Sequence, residues 1–76
     1  MFITVKTLTG RKVNVQVHES MTFGDLKQEI SEKEGIEISQ IRMIYGGNMV
    51  NDLHKIMDTN VKAGDIIHLV LSLRGG

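Results

Sequence analysis

The sequence of 76 residues contains no cysteine and no proline, and its formal charges cancel. Without cysteine it can form no disulfide, no thiolate nucleophile and no cysteine metal site, which fits a reducing compartment. Nine Lys and Arg residues balance nine Asp and Glu residues, so the composition does not favour binding to nucleic acid or to an anionic membrane. No apolar stretch approaches membrane-spanning length, and the first residues do not resemble a signal peptide. We therefore expect a monomeric protein of the cytoplasm and nucleus.

Hydrophobic periodicity divides the chain into strands around one helix. Apolar residues alternate over positions 1–7 and again over 13–17, with the turn signal Leu8-Thr9-Gly10 between them, which predicts a hairpin. Phe23, Leu26 and Ile30 then follow helical spacing. Thr22 and Asp25 are suited to begin this helix and Gly35 to end it, with Lys27, Gln28, Glu29, Ser31 and Glu32 on its solvent face.

The second half of the chain predicts further strands. Residues 41–45 form one strand that ends at Gly46-Gly47, residues 49–50 a short edge strand, and residues 66–71 the last strand, with a weak helical turn over 53–57. A hairpin, a crossover helix and later strands favour an α+β fold of the β-grasp kind, a mixed sheet packed on one helix. We expect this domain to span residues 1–71, with a flexible tail over 72–76.

Strand parity predicts an exposed patch. If Met43 and the row Ile67, Leu69 and Leu71 face the helix, Ile44, His68 and Val70 point to solvent, with Leu8 in a turn nearby. A contiguous exposed apolar patch on a small domain often marks a protein-binding surface, whereas single exposed apolar residues are normal. Periodicity alone leaves both interpretations open.

Other residue groups give weaker signals. The three histidines, His18, His54 and His68, show no metal-ligand spacing, so we expect no metal and no cofactor. No catalytic constellation is evident, so we expect no enzyme. Of the methionines, Met43 and Met57 are assigned to the core and Met49 to the surface. The terminal Gly75-Gly76 could thread a narrow channel, because glycine lacks a Cβ, or could be a frayed terminus.

Four sequence blocks in one frame resemble the ubiquitin family along the whole chain. Residues 1–10 read M-x-I-x-V-K-T-L-T-G, residues 33–36 read K-E-G-I, Arg42-x-Ile44 precedes Gly47, and residues 68–76 read H-L-V-L-x-L-R-G-G. The resemblance implies a β-grasp modifier whose Gly76 carboxylate is adenylated, carried as an enzyme thioester and joined to a lysine by an isopeptide bond.

The resemblance also implies partners and site residues. The partners are activating and conjugating enzymes, ligases, deconjugating proteases and ubiquitin-binding domains. By position, the conjugation residues are Gly75 and Gly76, the activating-enzyme contacts are Arg42, Leu71, Ser72, Leu73 and Arg74, and the protein-binding patch is Leu8, Ile44, Gly47, His68 and Val70. Lys6, Lys27 and Lys33 match acceptor lysines of the family.

Departures from the ubiquitin pattern are equally informative. Ser72 stands where ubiquitin has an arginine, a position by which the family separates activation of ubiquitin from activation of Nedd/Rub-type modifiers. A serine hydroxyl cannot make the several parallel hydrogen bonds that an arginine guanidinium makes to a carboxylate. Asn48 and Ala63 occupy the positions most used for chain building, and neither can form an isopeptide bond. Glu19, Glu37 and Ile38 replace the family's prolines, which costs roughly 0.4–1 kcal/mol per site through the freer unfolded chain.

Two functions are compatible with these features. The first is a conjugated modifier, for which Gly76 must be the true terminus. The second is a non-conjugated ubiquitin-like interaction module, or a mimic that competes for ubiquitin-binding proteins through Ile44. The reading frame beyond Gly76 would separate them.

Overall fold

The two N-terminal alternating segments form the predicted hairpin. In a computed structural model that describes residues 1–72, strands β1 (Phe2–Lys6) and β2 (Lys12–Gln16) pair antiparallel, with Ile3 opposite Val15 and Val5 opposite Val13. Ile3, Val5 and Val15 are buried, and the residues between them are half-buried or exposed. This alternation is expected of strands with one face on the core.

Helix α1 (Phe23–Glu34) begins and ends where its capping residues predict. The Thr22 hydroxyl accepts a bond from the Asp25 amide at 3.1 Å, and the Asp25 carboxylate accepts one from the Thr22 amide at 3.0 Å, a reciprocal capping box. Gly35 follows the helix with φ of +68°, and its amide donates to the Ser31 carbonyl. A left-handed residue at this position favours glycine because a Cβ is disfavoured there.

Lys27 is a correction to the predicted solvent face of α1. Its side chain is only 8% exposed, and its ammonium pairs with Asp52. Lys27 lies four residues after Phe23 and three before Ile30, so it belongs to the stripe that helical geometry turns toward the core. The 51–55 segment crosses the first turns of the helix and supplies the carboxylate that makes this burial tolerable.

The later strands complete one five-stranded mixed sheet, which confirms the predicted β-grasp class. Strands β3 (Ile41–Tyr45), β4 (Asn48–Met49) and β5 (Ile66–Leu71) join the hairpin in the order β2-β1-β5-β3-β4. β5 runs parallel to β1 and antiparallel to β3. Short 3-10 helices at Ile38–Gln40 and Ile56–Asp58 connect the strands. No helix within residues 1–72 is long and apolar enough to cross a membrane.

One helix and one sheet face enclose the core. Its fully buried residues come from all the longer elements: Ile3, Val5, Val15, Val17, Phe23, Leu26, Ile30, Ile41, Met43, Ile56, Ile67 and Leu69. The predicted core position of Met57 is wrong, because Ile56 fills the core from the same 3-10 turn and leaves Met57 39% exposed. Leu71, predicted on the inward row, is also 39% exposed at the end of β5.

Removing the N-cap hydroxyl of α1 should destabilise the domain. We expect Thr22→Ala to lower the free energy of unfolding by about 1 kcal/mol, because the Asp25 amide loses its acceptor. Thr22→Ser is the matched control, since it keeps the hydroxyl and should stay near the parent stability. Urea unfolding of the three proteins measures the difference, and equal losses in both variants would contradict the capping role.

Candidate functional site

The sheet surface turned away from α1 contains most of the predicted patch. We call this surface the outer face. Side chains of even-numbered residues on β1, β2, β3 and β5 point to it, because Ile3, Val5, Met43, Ile67 and Leu69 of the other parity fill the core. The outer face is therefore the part of the sheet that the single helix leaves uncovered.

Cross-strand pairing brings Ile44 and His68 together. Ile44 lies opposite His68 on β5, and His68 lies beside Lys6 on β1. Arg42 and Val70 form the next cross-strand pair on the same face. Side chains of directly opposed residues are in contact range. Because His68 is exposed and Ile44 and Val70 are half-buried, these three side chains can all be reached by a partner.

Two turns carry the remaining patch residues. Leu8 is 67% exposed in the turn between β1 and β2. Two backbone hydrogen bonds close this turn: the Thr7 amide donates to the Arg11 carbonyl, and the Gly10 amide donates to the Thr7 carbonyl. Gly47 lies in the two-residue turn between β3 and β4, where Gly46 and Gly47 have φ of +61° and +84°. Two consecutive positive φ values define the type I′ hairpin turn, which strongly favours glycine. We call Leu8, Ile44, Gly47, His68 and Val70 the recognition surface.

The ionisable side chains on the outer face are all basic. Among the described strands, its ionisable side chains are Lys6, Lys12, Arg42 and His68, and none is a carboxylate. All nine Asp and Glu residues of the chain lie on α1, in loops or in turns. A neutral chain thus presents a cationic sheet surface, which favours partners with acidic groups around an apolar centre.

Three of the predicted activating-enzyme contacts meet at one end of the sheet. Leu71 pairs with Ile41, and the Ser72 amide donates to the Gln40 carbonyl at 2.6 Å, so backbone bonding continues one residue past β5. Arg42 is next to this pair, and its guanidinium donates to the carbonyls of Ser39 and Ile41. The predicted residues Leu73, Arg74, Gly75 and Gly76 lie outside the described residues.

The three predicted acceptor lysines differ in environment. Lys6 is half-buried on the outer face beside His68, and Lys33 is paired with Glu29 at 3.5 Å while remaining 48% exposed. Lys27 is the least accessible, because its side chain is only 8% exposed and its ammonium is paired with Asp52. Lys12, Lys55 and Lys62 are exposed lysines outside this set. Acceptor use of Lys6, Lys27 and Lys33 stays a prediction.

Tyr45 ties the end of β3 to the loop before β5. Its hydroxyl donates to the Asp65 carboxylate at 2.6 Å, and the same carboxylate accepts a bond from the Lys62 amide at 2.9 Å. These bonds, first that from Tyr45 and then that from Lys62, lower the pKa of Asp65. The Asp65 carboxylate in turn raises the pKa of the Tyr45 hydroxyl. The contact links the last residue of β3 to the residue that precedes β5.

The described part of the chain contains no arrangement of side chains suited to bind a metal ion. Within residues 1–72 no group of three or more His, Asp or Glu side chains is placed to hold a metal ion. Of two surface clefts in this part of the chain, the larger is lined by Phe2, Thr4, Asn14, Ala63 and Gly64 and opens on the outer face. The smaller is lined by Leu53, His54, Lys55, Asp58 and Thr59.

Comparison with known proteins shows which family and which relatives this chain resembles. The family model described as "Ubiquitin family" matches residues 3–74. "Ubiquitin-like protein NEDD8" of Dictyostelium discoideum is 40% identical over 76 residues, which cover 100% of this chain and 99% of that protein. "NEDD8-like protein RUB1" of Saccharomyces cerevisiae is 42% identical over 76 residues, which again cover 100% of this chain and 99% of that protein. "Ubiquitin-like protein 4A" of Danio rerio is 35% identical over 75 residues, 99% of this chain but 48% of that protein.

Tyr45→Phe should make stability less sensitive to acid. The bond from Tyr45 lowers the pKa of Asp65 from its ordinary value of 3.8. The bond therefore stabilises the fold fully at pH values above 3.8, and this stabilisation is lost as pH falls through the lowered pKa. Since the Tyr45 pKa is raised above 10.0, the contribution is also lost as pH rises through that raised pKa. We expect the stability difference between parent and variant to be largest at neutral pH. Urea unfolding at pH 7 and below pH ~3 tests this, and a difference independent of pH would contradict it.

Proposed function

This chain belongs to the ubiquitin family, and from that membership and its surface we propose that it is a conjugated protein modifier of the NEDD8/RUB type. The observation that carries the proposal is the full-length similarity to relatives of that name, of which the chain covers 99%. A modifier acts as the transferred group, so this chain would itself be a substrate of enzymes rather than an enzyme. Its proposed compartments are the cytoplasm and nucleus.

The proposed chemistry takes place at the carboxylate of Gly76. The carboxylate would attack the α-phosphorus of ATP on an activating enzyme, giving an acyl adenylate and releasing pyrophosphate. An enzyme cysteine would then displace AMP to give a thioester. A substrate lysine amine would then attack the thioester carbonyl and release the thiol, leaving an isopeptide bond. Two terminal glycines suit this transfer, because their lack of Cβ atoms lets an extended chain enter a narrow channel.

Arg42, Leu71 and Ser72 would be read by the activating enzyme as one contact region. They lie at the end of β5 and beside it on β3, and Ser72 has a short neutral side chain where an arginine would bring a charged guanidinium. A cluster at the base of the terminal segment is well placed to select an enzyme before the carboxylate reaches it. This supports recognition by an activating enzyme of the Nedd/Rub type.

The recognition surface would serve the partners that read the modifier after conjugation. It combines accessible apolar groups from Leu8, Ile44 and Val70 with cations on the same face, a composition suited to ligases, deconjugating proteases and ubiquitin-binding domains. Arg42, one of the proposed activating-enzyme contacts, lies opposite Val70 of the recognition surface across β3 and β5. A partner could therefore contact both regions at once.

A second candidate is an interaction module that is not conjugated. The observation that favours it is the zebrafish relative, in which the matching segment makes up 48% of a longer protein. Such a module would bind through the recognition surface without any carboxylate chemistry. The two candidates differ in the need for Gly76, which can be measured.

Incubation with ATP and a Nedd/Rub-type activating enzyme should give a thiol-sensitive adduct on a gel. Deleting Gly76 should abolish the adduct, because the reacting carboxylate is displaced. No adduct with either a Nedd/Rub-type or a ubiquitin-activating enzyme, from folded protein with Gly76 intact, would sink the modifier proposal and favour the interaction module.

Substituting Ser72 should change the enzyme that accepts the chain. We expect Ser72→Arg to lower adduct formation with the Nedd/Rub-type enzyme and raise it with the ubiquitin-activating enzyme, by about tenfold in the ratio of rates. Ser20→Arg is the matched control, because it adds the same charge at an exposed loop position far from β5 in sequence. An unchanged ratio in both variants would show that Ser72 does not select the enzyme.

Ile44→Ala should weaken binding to an isolated ubiquitin-binding domain by about tenfold, as expected for a central apolar contact. Ile66→Ala is the matched control, since Ile66 is 41% exposed on the same outer face but is not part of the recognition surface. Isothermal titration of parent and variants measures the effect. Equal losses from both substitutions would argue against a localised surface.

A further inference from the structure

A methionine extends the recognition surface to the edge of the sheet. Met49 on β4 lies opposite Ile44 on β3, and Ile44 lies opposite His68 on β5, so the three residues form one row across three strands. Met49 is 62% exposed. Its thioether is therefore an accessible apolar group directly beside the central residue of the recognition surface.

The backbone around Met49 keeps this side chain on the outer face. The Gly46-Gly47 turn fixes the register in which Tyr45 opposes Asn48, and the Val50 amide donates to the Met43 carbonyl at 3.0 Å. β4 is thus held on both sides of Met49. The side chain cannot exchange faces without a shift of register.

The other four methionines are less accessible or lie elsewhere. Met21 and Met43 are buried in the core at 5% and 1% exposure, and Met1 is half-buried. Met57 is 39% exposed, but it lies in a 3-10 turn outside the sheet. Susceptibility of methionine to oxidants depends on exposure, so Met49 is the thioether that an oxidant in solution reaches most readily.

We propose that Met49 is a reversible oxidation site that controls binding at the recognition surface. The proposal rests on the recognition role given to that surface under the proposed function. The oxidant is a peroxide: the thioether sulfur attacks one peroxide oxygen, an S–O bond forms, the O–O bond breaks, and water leaves. The sulfur loses two electrons and the peroxide gains them. A thiol-dependent methionine sulfoxide reductase reverses the step, releasing water as two thiols become a disulfide.

Oxidation would change the recognition surface by polarity rather than by shape. A sulfoxide oxygen beside Ile44 needs a hydrogen-bond partner, and an apolar partner surface that desolvates it offers none. The cationic groups on the outer face would remain, because Lys6, Lys12 and Arg42 do not react with peroxide. The expected outcome is weaker binding with preserved folding and preserved charge.

The first experiment maps the site of oxidation. Folded protein is treated with hydrogen peroxide, digested with trypsin and analysed by tandem mass spectrometry for oxygen addition at each methionine over time. Met43 and Met49 share the tryptic peptide 43–55, so fragmentation compares a buried and an exposed thioether within one molecule. We expect Met49 to react first and Met43 last. If Met49 is oxidised no faster than Met57, the assignment of Met49 as the oxidation site is overturned.

The second experiment measures binding to an isolated ubiquitin-binding domain. Peroxide treatment should weaken binding of the parent roughly fivefold, and a sulfoxide reductase should restore it. Met49→Leu keeps an apolar side chain without sulfur and should bind equally well before and after peroxide, whereas Met57→Leu should remain sensitive. Met49→Gln should show weak binding without any oxidant. Circular dichroism checks that each sample is folded.

The outcomes separate this inference from the proposed function. If untreated protein binds and peroxide leaves the affinity unchanged, control by Met49 is overturned while the recognition surface stands. If untreated protein binds none of the ubiquitin-binding domains, the recognition surface is overturned, and control by Met49 is overturned with it. Loss of binding in the peroxide-treated Met49→Leu variant would place the sensitive group elsewhere.

Discussion

The burial of one sheet face by one helix is the constraint on which the rest of this structure depends. Residues 1–72 contain one α-helix, and α1 can cover only one side of five strands. Side chains that alternate along β3 and β5 therefore divide into a core set, with Met43 and Leu69, and an outer set, with Ile44 and His68. The recognition surface is a direct consequence of that division.

The 51–58 segment holds the start of α1 in place against the core. It bonds to the start of α1 through the amides of Phe23 and Gly24, and the Ile56 amide donates to Met21. Ile56 fills the core from the same segment, and Asp52 neutralises Lys27 at its edge. Removing Asp52, which is itself 55% exposed, would be costly, because the Lys27 ammonium would stay poorly solvated without a partner. The helix is thus fixed by both apolar burial and a specific ion pair.

Charge segregation gives the outer face its character. The chain as a whole is neutral, so composition alone did not favour binding to nucleic acid or to an anionic membrane. The fold places its carboxylates on α1 and in loops and leaves Lys6, Lys12 and Arg42 on the sheet. Long-range attraction then depends on this local field rather than on net charge. A surface that combines this field with accessible apolar groups suits a role in protein recognition.

The sequence by itself determined the helix, the longer strands with their parity, and the fold class, but not the 3-10 helix at Ile38–Gln40 or the exact bounds of β4 and of the turn at Ile56–Asp58. Period-2 and period-3.6 patterns, the Thr22–Asp25 cap and Gly35 are local signals, and local interactions are sufficient to specify them. It also contained the blocks that resemble the ubiquitin family, which is why the patch residues could be named before the structure. The tertiary structure decided what depends on distant segments. Lys27 is buried because Asp52, remote in sequence, reaches it, and Met57 is exposed because Ile56 takes the core position. Met49 becomes part of the central row only through the register of β3 and β4, since cross-strand neighbours are set by pairing rather than by sequence spacing.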